Sequence, residues 1–217
     1  IQKGVDTLKP GDMLTILPGE YHESVRRDGV GSLNALTTIR AAIPGTVVLR
    51  GDVPAPAFRK VDGYRFVYVA DLDFDGQTPA VNELDTLTIL PSKPNPAELE
   101  YAPGTFHWDA GAGKLYISTT DMRKPAVHAY SVSLIPTHGF YLRNAKQVVI
   151  EGLGVTGFNG LKVLHHTERT VGTVFGMFLA YGKRCAIRDC RAWLNGAGIG
   201  LNSMNPASGD NVIERCT

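Results

Sequence analysis

The chain has 217 residues and a formal net charge of +1, and 43% of its residues are hydrophobic. This length suffices for one sizeable core, or for one core and a small second module. A nearly neutral chain lacks the concentrated basic face that binds phosphate backbones, so nucleic acid is excluded as the main partner. The sequence contains no apolar run of the roughly 18 residues that a spanning helix needs, which predicts no membrane span.

Short β-type runs follow one another along the chain and alternate with turn-forming residues, among them 24 Gly and 13 Pro. They are rich in Val, Ile, Thr and Leu, as strands between turns are. In chain order the runs are MLTIL, TTIRAA, TVVLRG, YRFVYVA, LYIST, QVVIEGLGV and CAIRDCRAW. No segment sustains helical periodicity over three turns, so we predict an all-β protein.

The opening segments carry a family resemblance. LKPGDMLTILPGEYHESV and LTTIRAAIPGTVVLRGD resemble the first coils of pectin-lyase-like, right-handed parallel β-helix carbohydrate-active enzymes. The matching positions are Pro10, Gly11, Asp12, Gly19, Tyr21, Ile39, Ala41 and the stretch 45–51. The resemblance implies β-helix coils over 1–52 and 137–217, and an enzyme that acts on carbohydrate.

Residues 53–136 do not share this pattern and are predicted to form an inserted antiparallel β-module. FHWDAGAGKLYIS reads as a hairpin that pairs Phe106–Asp109 with Leu115–Ser118 around a Gly-rich turn. A module of this kind after the first coils is similar to one in β-helix glycoside hydrolases, so hydrolase is favoured over polysaccharide lyase. Trp108 and Tyr116 could form a sugar-stacking platform or pack the module on the β-helix.

The second half of the chain repeats itself. Residues 139–164 align with 176–201 at a spacing of 37, and AIRDC returns as VIERC after 26 more residues. Self-similarity with such periods marks a solenoid, and three short strands per copy suit a parallel β-helix. The alignment predicts one inward ladder of Ile150, Ile187 and Ile213. The last copy supplies one strand, so we expect the β-helix to continue C-terminally as further coils.

The repeat spacing of 37 residues is longer than the next one of 26, which predicts an extra loop near 164–175. This stretch contains several polar side chains. His165, His166 and Glu168 are the catalytic candidates, and Arg169 could bind a uronate carboxylate; an ordinary polar loop is the alternative. Adjacent histidines on a strand point in different directions, so no shared metal site is predicted. A structural or catalytic Ca²⁺ stays open, and no other cofactor is expected.

Other polar residues have structural interpretations. Asp109 is expected to form the hairpin turn, and Asn159 and Asn195 occupy matching corners as in an asparagine ladder. Asp189 and Glu214 lie one coil apart but out of register, so they are not predicted to be a catalytic pair. The three cysteines are too few for a disulfide scaffold. They are either free buried thiols or include a Cys190–Cys216 disulfide.

The predicted function is cleavage of glycosidic bonds in a polysaccharide or oligosaccharide, as an extracellular or periplasmic glycoside hydrolase. Retaining and inverting glycosidases need two carboxylates that flank the scissile bond. The resemblance implies that these lie on later coils, beyond Thr217. A polysaccharide lyase and a non-catalytic glycan-binding or structural β-helix are the alternatives.

Overall fold

The computed structural model describes residues 1–74, 78–159, 174–204 and 207–217. They form two compact units. Unit 1 contains the described residues of 1–51, 135–159 and 174–217, and unit 2 contains the described residues of 52–134.

The elements are almost all short strands. The chain begins with α1 (Gln2–Thr7), β1 (Met13–Ile16), β2 (Gly19–Tyr21), β3 (Val25–Asp28), β4 (Thr37–Ala41) and β5 (Val47–Arg50). Unit 2 follows with β6 (Asp52–Pro54), β7 (Arg59–Lys60), β8 (Tyr68–Asp71), β9 (Ala80–Glu83), β10 (Thr88–Leu90), α2 (Pro96–Leu99), β11 (Thr105–Asp109), β12 (Lys114–Ser118), a 3₁₀ helix (Pro125–Val127) and β13 (Tyr130–Ser133). Unit 1 resumes with β14 (Phe140–Arg143), β15 (Val148–Glu151), β16 (Leu153–Thr156), β17 (Phe175–Ala180), β18 (Ala186–Arg188), β19 (Arg191–Trp193), β20 (Ala197–Asn202) and β21 (Val212–Glu214).

Unit 1 consists of three parallel sheets that the chain visits in rotation. Sheet A has the order β1-β4-β15-β18-β21, sheet B β2-β5-β16-β19, and sheet C β3-β14-β17-β20. Following the chain from β1, each strand joins the next sheet in the sequence A, B, C, and the rotation repeats up to β21. We call one passage through the three sheets a round. The prediction of an all-β chain with stacked parallel strands is confirmed at this level.

The repeat alignment gives the register of sheet A. Ile150 pairs with Ile39 on one side and with Ile187 on the other, and Ile187 pairs with Ile213. Ile39, Ile150 and Ile187 are 3% exposed or less, whereas Ile213 is 39% exposed. The predicted isoleucine ladder is therefore confirmed, and the spacings of 37 and 26 are the chain lengths of two successive rounds.

Single residues with left-handed backbone turn the corners between the sheets. Their positive φ angles recur at the repeat spacings, in the sets Gln147, Arg184 and Asp210; Asn144 and Tyr181; Gly152, Asp189 and Arg215; and Gly157 and Leu194. The φ values of the non-Gly members are 50–56°. This region is unfavourable for residues with a Cβ atom. The backbone at these corners is therefore somewhat strained, and this conformation lets the chain change direction sharply.

The inserted unit leaves and rejoins unit 1 at one place. The backbone N–H of Ile135 donates to the carbonyl of Gly51 at 3.3 Å, so the two ends of the insertion are adjacent. A Cβ atom at Gly51 would lie 2.6 Å from the ring of Phe158, which explains the glycine. The rotation continues from β5 in sheet B to β14 in sheet C, as it would without the insertion.

Unit 2 contains two four-stranded antiparallel sheets, β10-β9-β13-β6 and β11-β12-β8-β7. The predicted hairpin is confirmed, with Phe106 opposite Ile117 and Trp108 opposite Leu115. The buried core comprises Tyr68, Leu72, Val81, Leu90, Phe106, Leu115, Ile117, Tyr130 and Val132. Phe66 and Tyr116 are only half-buried and lie outside this core.

None of the helices in the described part of the chain is long and apolar enough to cross a membrane.

Shortening one member of the isoleucine ladder tests the sheet A register. Ile187→Ala removes a fully buried side chain between two ladder neighbours, and we expect the free energy of unfolding to fall by about 2–5 kcal/mol. The control Arg40→Ala alters an exposed side chain on β4 and should change it by less than about 0.5 kcal/mol. Urea denaturation followed by circular dichroism measures both; equal effects would contradict the inward ladder.

The strained corners make a second prediction. Arg184 is exposed and has φ 53°, so Arg184→Gly removes about 1–2 kcal/mol of left-handed strain against a glycine entropy cost of roughly 0.5–1 kcal/mol. We expect unchanged or slightly higher stability. The matched Arg40→Gly, in the extended backbone of β4, should destabilise by about 1 kcal/mol. Equal losses in both variants, measured by urea denaturation, would show that the corner is unstrained.

Candidate functional site

Aromatic side chains line the outer face of sheet C. Tyr141 and Phe178 are register partners on β14 and β17, and their rings stack with centroids 5.6 Å apart and planes 11° from parallel. Phe175 stacks on Phe178 at 4.7 Å and 9°. Its ring covers Gly200 of β20, where a Cβ atom would come within 2.4 Å of it. We call Tyr141, Phe178 and Phe175 the aromatic ladder; all three are half-buried.

Arg26 and His138 complete this surface. Arg26 is the register partner of Tyr141 on β3, and its guanidinium carbon lies 5.3 Å from the centre of the tyrosine ring. The imidazole of His138 contacts Tyr141 and Phe178, with centroids 5.2 and 5.1 Å apart. A half-buried aromatic surface with a few polar groups at its edge can bind a ligand through both kinds of contact.

The tautomer of His138 follows from its hydrogen bond. The backbone N–H of Phe175 donates to Nδ1 at 2.9 Å, so Nδ1 is an acceptor and Nε2 carries the proton of a neutral imidazole. Burial, and to a smaller extent the charge of Arg26, lowers the pKa of His138. His138 is therefore a neutral side chain with an Nε2–H donor beside the aromatic ladder.

A second cluster, in unit 2, is built around His128. Its Nδ1 lies 2.7 Å from Oδ2 of Asp85, and its Nε2 lies 3.0 Å from Oδ1 of Asp121. The His128 side chain is 8% exposed, whereas the carboxylates of Asp85 and Asp121 reach solvent at 45% and 32%. Because carboxylates only accept hydrogen bonds, both contacts require an N–H on each ring nitrogen.

Glu83 lies behind His128 and is completely buried. The Tyr130 hydroxyl donates to its Oε2 at 2.6 Å, and the Thr86 hydroxyl donates to Oε1 at 3.1 Å. The backbone N–H and the hydroxyl of Thr120 donate to it as well. These donors satisfy the buried carboxylate, and Oε1 is also 3.8 Å from Nδ1 of His128.

The pKa shifts in this cluster agree with an ionic network. The hydrogen bond to Asp85, reinforced by Asp121 and Glu83, raises the pKa of His128. His128 in turn lowers the pKa of Asp85. The pKa of Asp121 is lowered by the backbone N–H of Arg123 and then by His128. Burial and the neighbouring Glu83 raise the pKa of Tyr130, which therefore stays a neutral donor.

Ligand-type atoms of Glu83, Asp85 and His128 lie within 4.8 Å of one another. A metal ion, however, needs a free lone pair on the imidazole. Asp85 and Asp121 occupy both ring nitrogens of His128, and hydrogen-bond donors occupy the Glu83 oxygens. The donor set thus fits an imidazolium held by carboxylates better than it fits a metal.

A cavity of about 220 Å³ adjoins this cluster. Residues 55–58 form one side, Pro125 and Ala126 form another, and His128 and Tyr130 complete the lining. The rings of Phe58 and Tyr130 meet edge to face at 5.7 Å. The volume suits a small molecule, since pockets for drug-sized ligands start at about 300 Å³.

Trp108 and Tyr116 do not form a common platform. Trp108 is opposite Leu115 and packs against the unit 2 core, whereas Tyr116 is opposite His107. Since neighbouring residues on a strand alternate between faces, the two aromatic side chains lie on opposite faces of their sheet. A sugar contact by either one alone stays a prediction.

The catalytic candidates His165, His166 and Glu168, and the substrate-binding candidate Arg169, lie outside the described residues. Their roles stay predictions.

The corner role of Asn195 and the turn role of Asp109 are confirmed, whereas a ladder of Asn159 with Asn195 stays a prediction. The Asn195 side chain accepts from the backbone N–H of Phe158 and donates to the carbonyl of Val155, both at 2.9 Å, so it fastens a buried corner. Asp109 accepts from the backbone N–H of Ala112 and closes the hairpin turn.

Asp189 and Glu214 both form ion pairs with Arg215, whose Nη1 lies 3.5 Å from Oε2 of Glu214. Arg215 binds Asp189 through two hydrogen bonds of 2.6 and 2.8 Å, and Glu214 is the register partner of Arg188. The three cysteine thiols are free. Burial raises the pKa of Cys190 to about 12, so this thiol stays protonated and unreactive near neutral pH.

Sequence reasoning missed the two histidines that the structure singles out. His128 and His138 lie in segments without repeat or motif, and each has at least one partner that is distant in the chain, Asp85 for His128 and Phe175 for His138. A signal was present for one of them: Tyr141 and Phe178 align at the repeat spacing of 37, which places two aromatic side chains side by side next to His138.

Comparisons with known proteins identify the fold. No protein-family model matches the chain. No curated protein matches it either, so membership of the pectin-lyase-like family stays a prediction. Two similar solved structures are XylC in complex with xylose (TM-score 0.57, 14% identity) and a glycoside hydrolase (TM-score 0.53, 11% identity). They cover 94% and 88% of this chain, which spans 39% and 56% of theirs. Because the sequence identities are so low, the likeness shows that the chain shares their fold and nothing beyond the fold.

Proposed function

We propose that the chain is part of a secreted carbohydrate-active protein, extracellular or periplasmic, that cleaves glycosidic bonds as a glycoside hydrolase. Its three parallel sheets, which the chain visits in turn, are interpreted as a right-handed parallel β-helix interrupted by the antiparallel unit 2. The fold likeness to XylC with xylose and to a glycoside hydrolase supports this proposal. Cleavage is proposed for the whole protein, because the chain spans only part of those structures.

The observation that carries the proposal is the surface formed by the aromatic ladder, His138 and Arg26. Sugars present apolar C–H faces and hydroxyl groups together, and therefore bind where aromatic carbon adjoins a few oriented polar groups. The stacked ring faces are occupied, so the ring edges contact the sugar while His138 Nε2–H donates to a hydroxyl. Because stacked parallel strands lie about 4.8 Å apart, the surface is suited to an extended glycan that crosses several rounds.

A lyase is the second candidate, and Arg26 is the observation that favours it. Lyases act on uronates and need a cation that neutralises the carboxylate. The Arg26 guanidinium over the Tyr141 ring, 5.3 Å from its centre, offers such a charge. Preferential binding of polygalacturonate over a neutral xylan would favour the lyase, and the reverse order would favour the hydrolase.

Binding of soluble polysaccharide tests the proposed surface. In affinity electrophoresis with xylan, the wild-type chain should be retarded, and His138→Asn should weaken binding by about tenfold or more, which corresponds to one lost hydrogen bond and its ring contact. Asn keeps an acceptor for the Phe175 N–H but removes the Nε2 donor. The control His22→Asn changes an exposed histidine of unit 1 and should bind like the wild type.

The pH dependence of binding is a further arm of this experiment. Because the pKa of His138 is lowered below its ordinary 6.5, the neutral form predominates at and above that pH. Binding should be strongest there and decline as the pH falls through the lowered value, when protonated Nδ1 can no longer accept the Phe175 N–H. Absence of retardation on xylan and on polygalacturonate, with the circular dichroism spectrum intact, would refute glycan binding by this surface.

A further inference from the structure

The segment 121–128 connects β12 to β13 and forms one side of the cavity in unit 2 through Pro125, Ala126 and His128. Apart from Pro125, residues 121–127 are exposed. A segment with so few buried contacts opens readily unless polar contacts hold it. His128 supplies two of these, since its Nε2 reaches Asp121 at the start of the same segment and its Nδ1 reaches Asp85 after β9.

Both contacts exist together only in the imidazolium form. A neutral imidazole has one N–H and one lone pair. With a carboxylate oxygen 2.7 Å from Nδ1 and another 3.0 Å from Nε2, loss of either proton sets a ring lone pair against a negatively charged oxygen. Deprotonation therefore replaces one charge-assisted hydrogen bond by repulsion.

The charged groups around His128 favour the protonated state. Glu83 faces it from β9, Asp85 from the turn after β9, and Asp121 from the turn after β12. Arg123 is the cation in this group, with its Nε 3.0 Å from Oδ2 of Asp121. Tyr130, on β13, stays neutral while it donates to Glu83. Three carboxylates thus face one imidazolium and one guanidinium.

We propose that His128 is a pH-operated clamp, which holds the segment 121–128 against Asp85 while it is protonated and releases this side of the cavity when it loses a proton. The cavity is then well defined at mildly acidic pH and becomes more open at alkaline pH. This inference concerns unit 2 alone and does not rest on the carbohydrate proposal.

The direction of the effect follows from the pKa shifts. The raised pKa of His128 means that its stabilisation is complete below 6.5, the ordinary value, and is lost as the pH rises through the folded-state value. The lowered pKa values of Asp85 and Asp121 mean that the stabilisation from these two carboxylates is complete above pH 3.8, their ordinary value, and is lost on stronger acidification. The clamp is therefore closed at pH values above the range in which Asp85 and Asp121 take up protons and below the range in which His128 loses its proton.

Amide hydrogen exchange of the chain tests the clamp. We expect the protection factors of peptides that cover 121–129, corrected for the intrinsic pH dependence of exchange, to fall about fivefold to tenfold between pH 5.5 and 8.5, the effect of losing one charge-assisted hydrogen bond. His128→Gln should have low protection at both pH values. The control His107→Gln, which alters a histidine bonded to the Lys93 carbonyl in the same unit, should respond like the wild type.

Two results would overturn the proposal: a wild-type segment whose protection does not change with pH, or a folded His128→Gln variant that keeps the wild-type response. If His128→Gln does not fold, ¹⁵N chemical shifts of the wild-type imidazole decide instead. Two protonated ring nitrogens at pH 6, with titration above 6.5, support the clamp. A neutral ring at that pH refutes it.

Discussion

The structure of unit 1 depends on one constraint: after each round, a strand must pair in parallel register with the strand of the previous round in its own sheet. Parallel neighbours lie about 4.8 Å apart, so each round advances the chain by one strand spacing. The backbone groups of inner strands are then satisfied by the rounds on both sides, and like residues are stacked. The ladder of Ile39, Ile150, Ile187 and Ile213 follows directly.

This pairing constraint restricts the backbone conformation at the corners more than it restricts the number of residues between them. Left-handed residues recur at equivalent corners, as at Gln147, Arg184 and Asp210, whatever side chain they carry. Extra chain is tolerated where it leaves and returns at one point, as unit 2 does at Gly51 and Ile135. Closure of a long insertion costs little more than closure of a short one, because the entropy grows only with the logarithm of its length.

The two histidines show how local packing sets the charge of the same side chain. His138 contacts aromatic rings and accepts a backbone N–H, so it is neutral and can donate to a hydroxyl group. His128 lies between two carboxylates and is an imidazolium. One environment suits recognition of a neutral ligand, and the other suits control of a loop by pH. Neither state could be assigned from composition or spacing.

Patterns in the sequence predicted the β class, the stacked parallel strands, the isoleucine register, the hairpin of 106–118 and the corner role of Asn195, because apolar periodicity and repeat spacing reflect local and nearest-neighbour geometry. It left a common platform of Trp108 and Tyr116 open, and strand alternation places the two side chains on opposite faces. Only the tertiary structure brought Asp85, Asp121 and His128 together, and Arg26 with Tyr141. Apart from the contact of Asp121 with His128, these contacts join residues far apart in the chain. They depend on where strands from different rounds and turns meet, which no local pattern encodes.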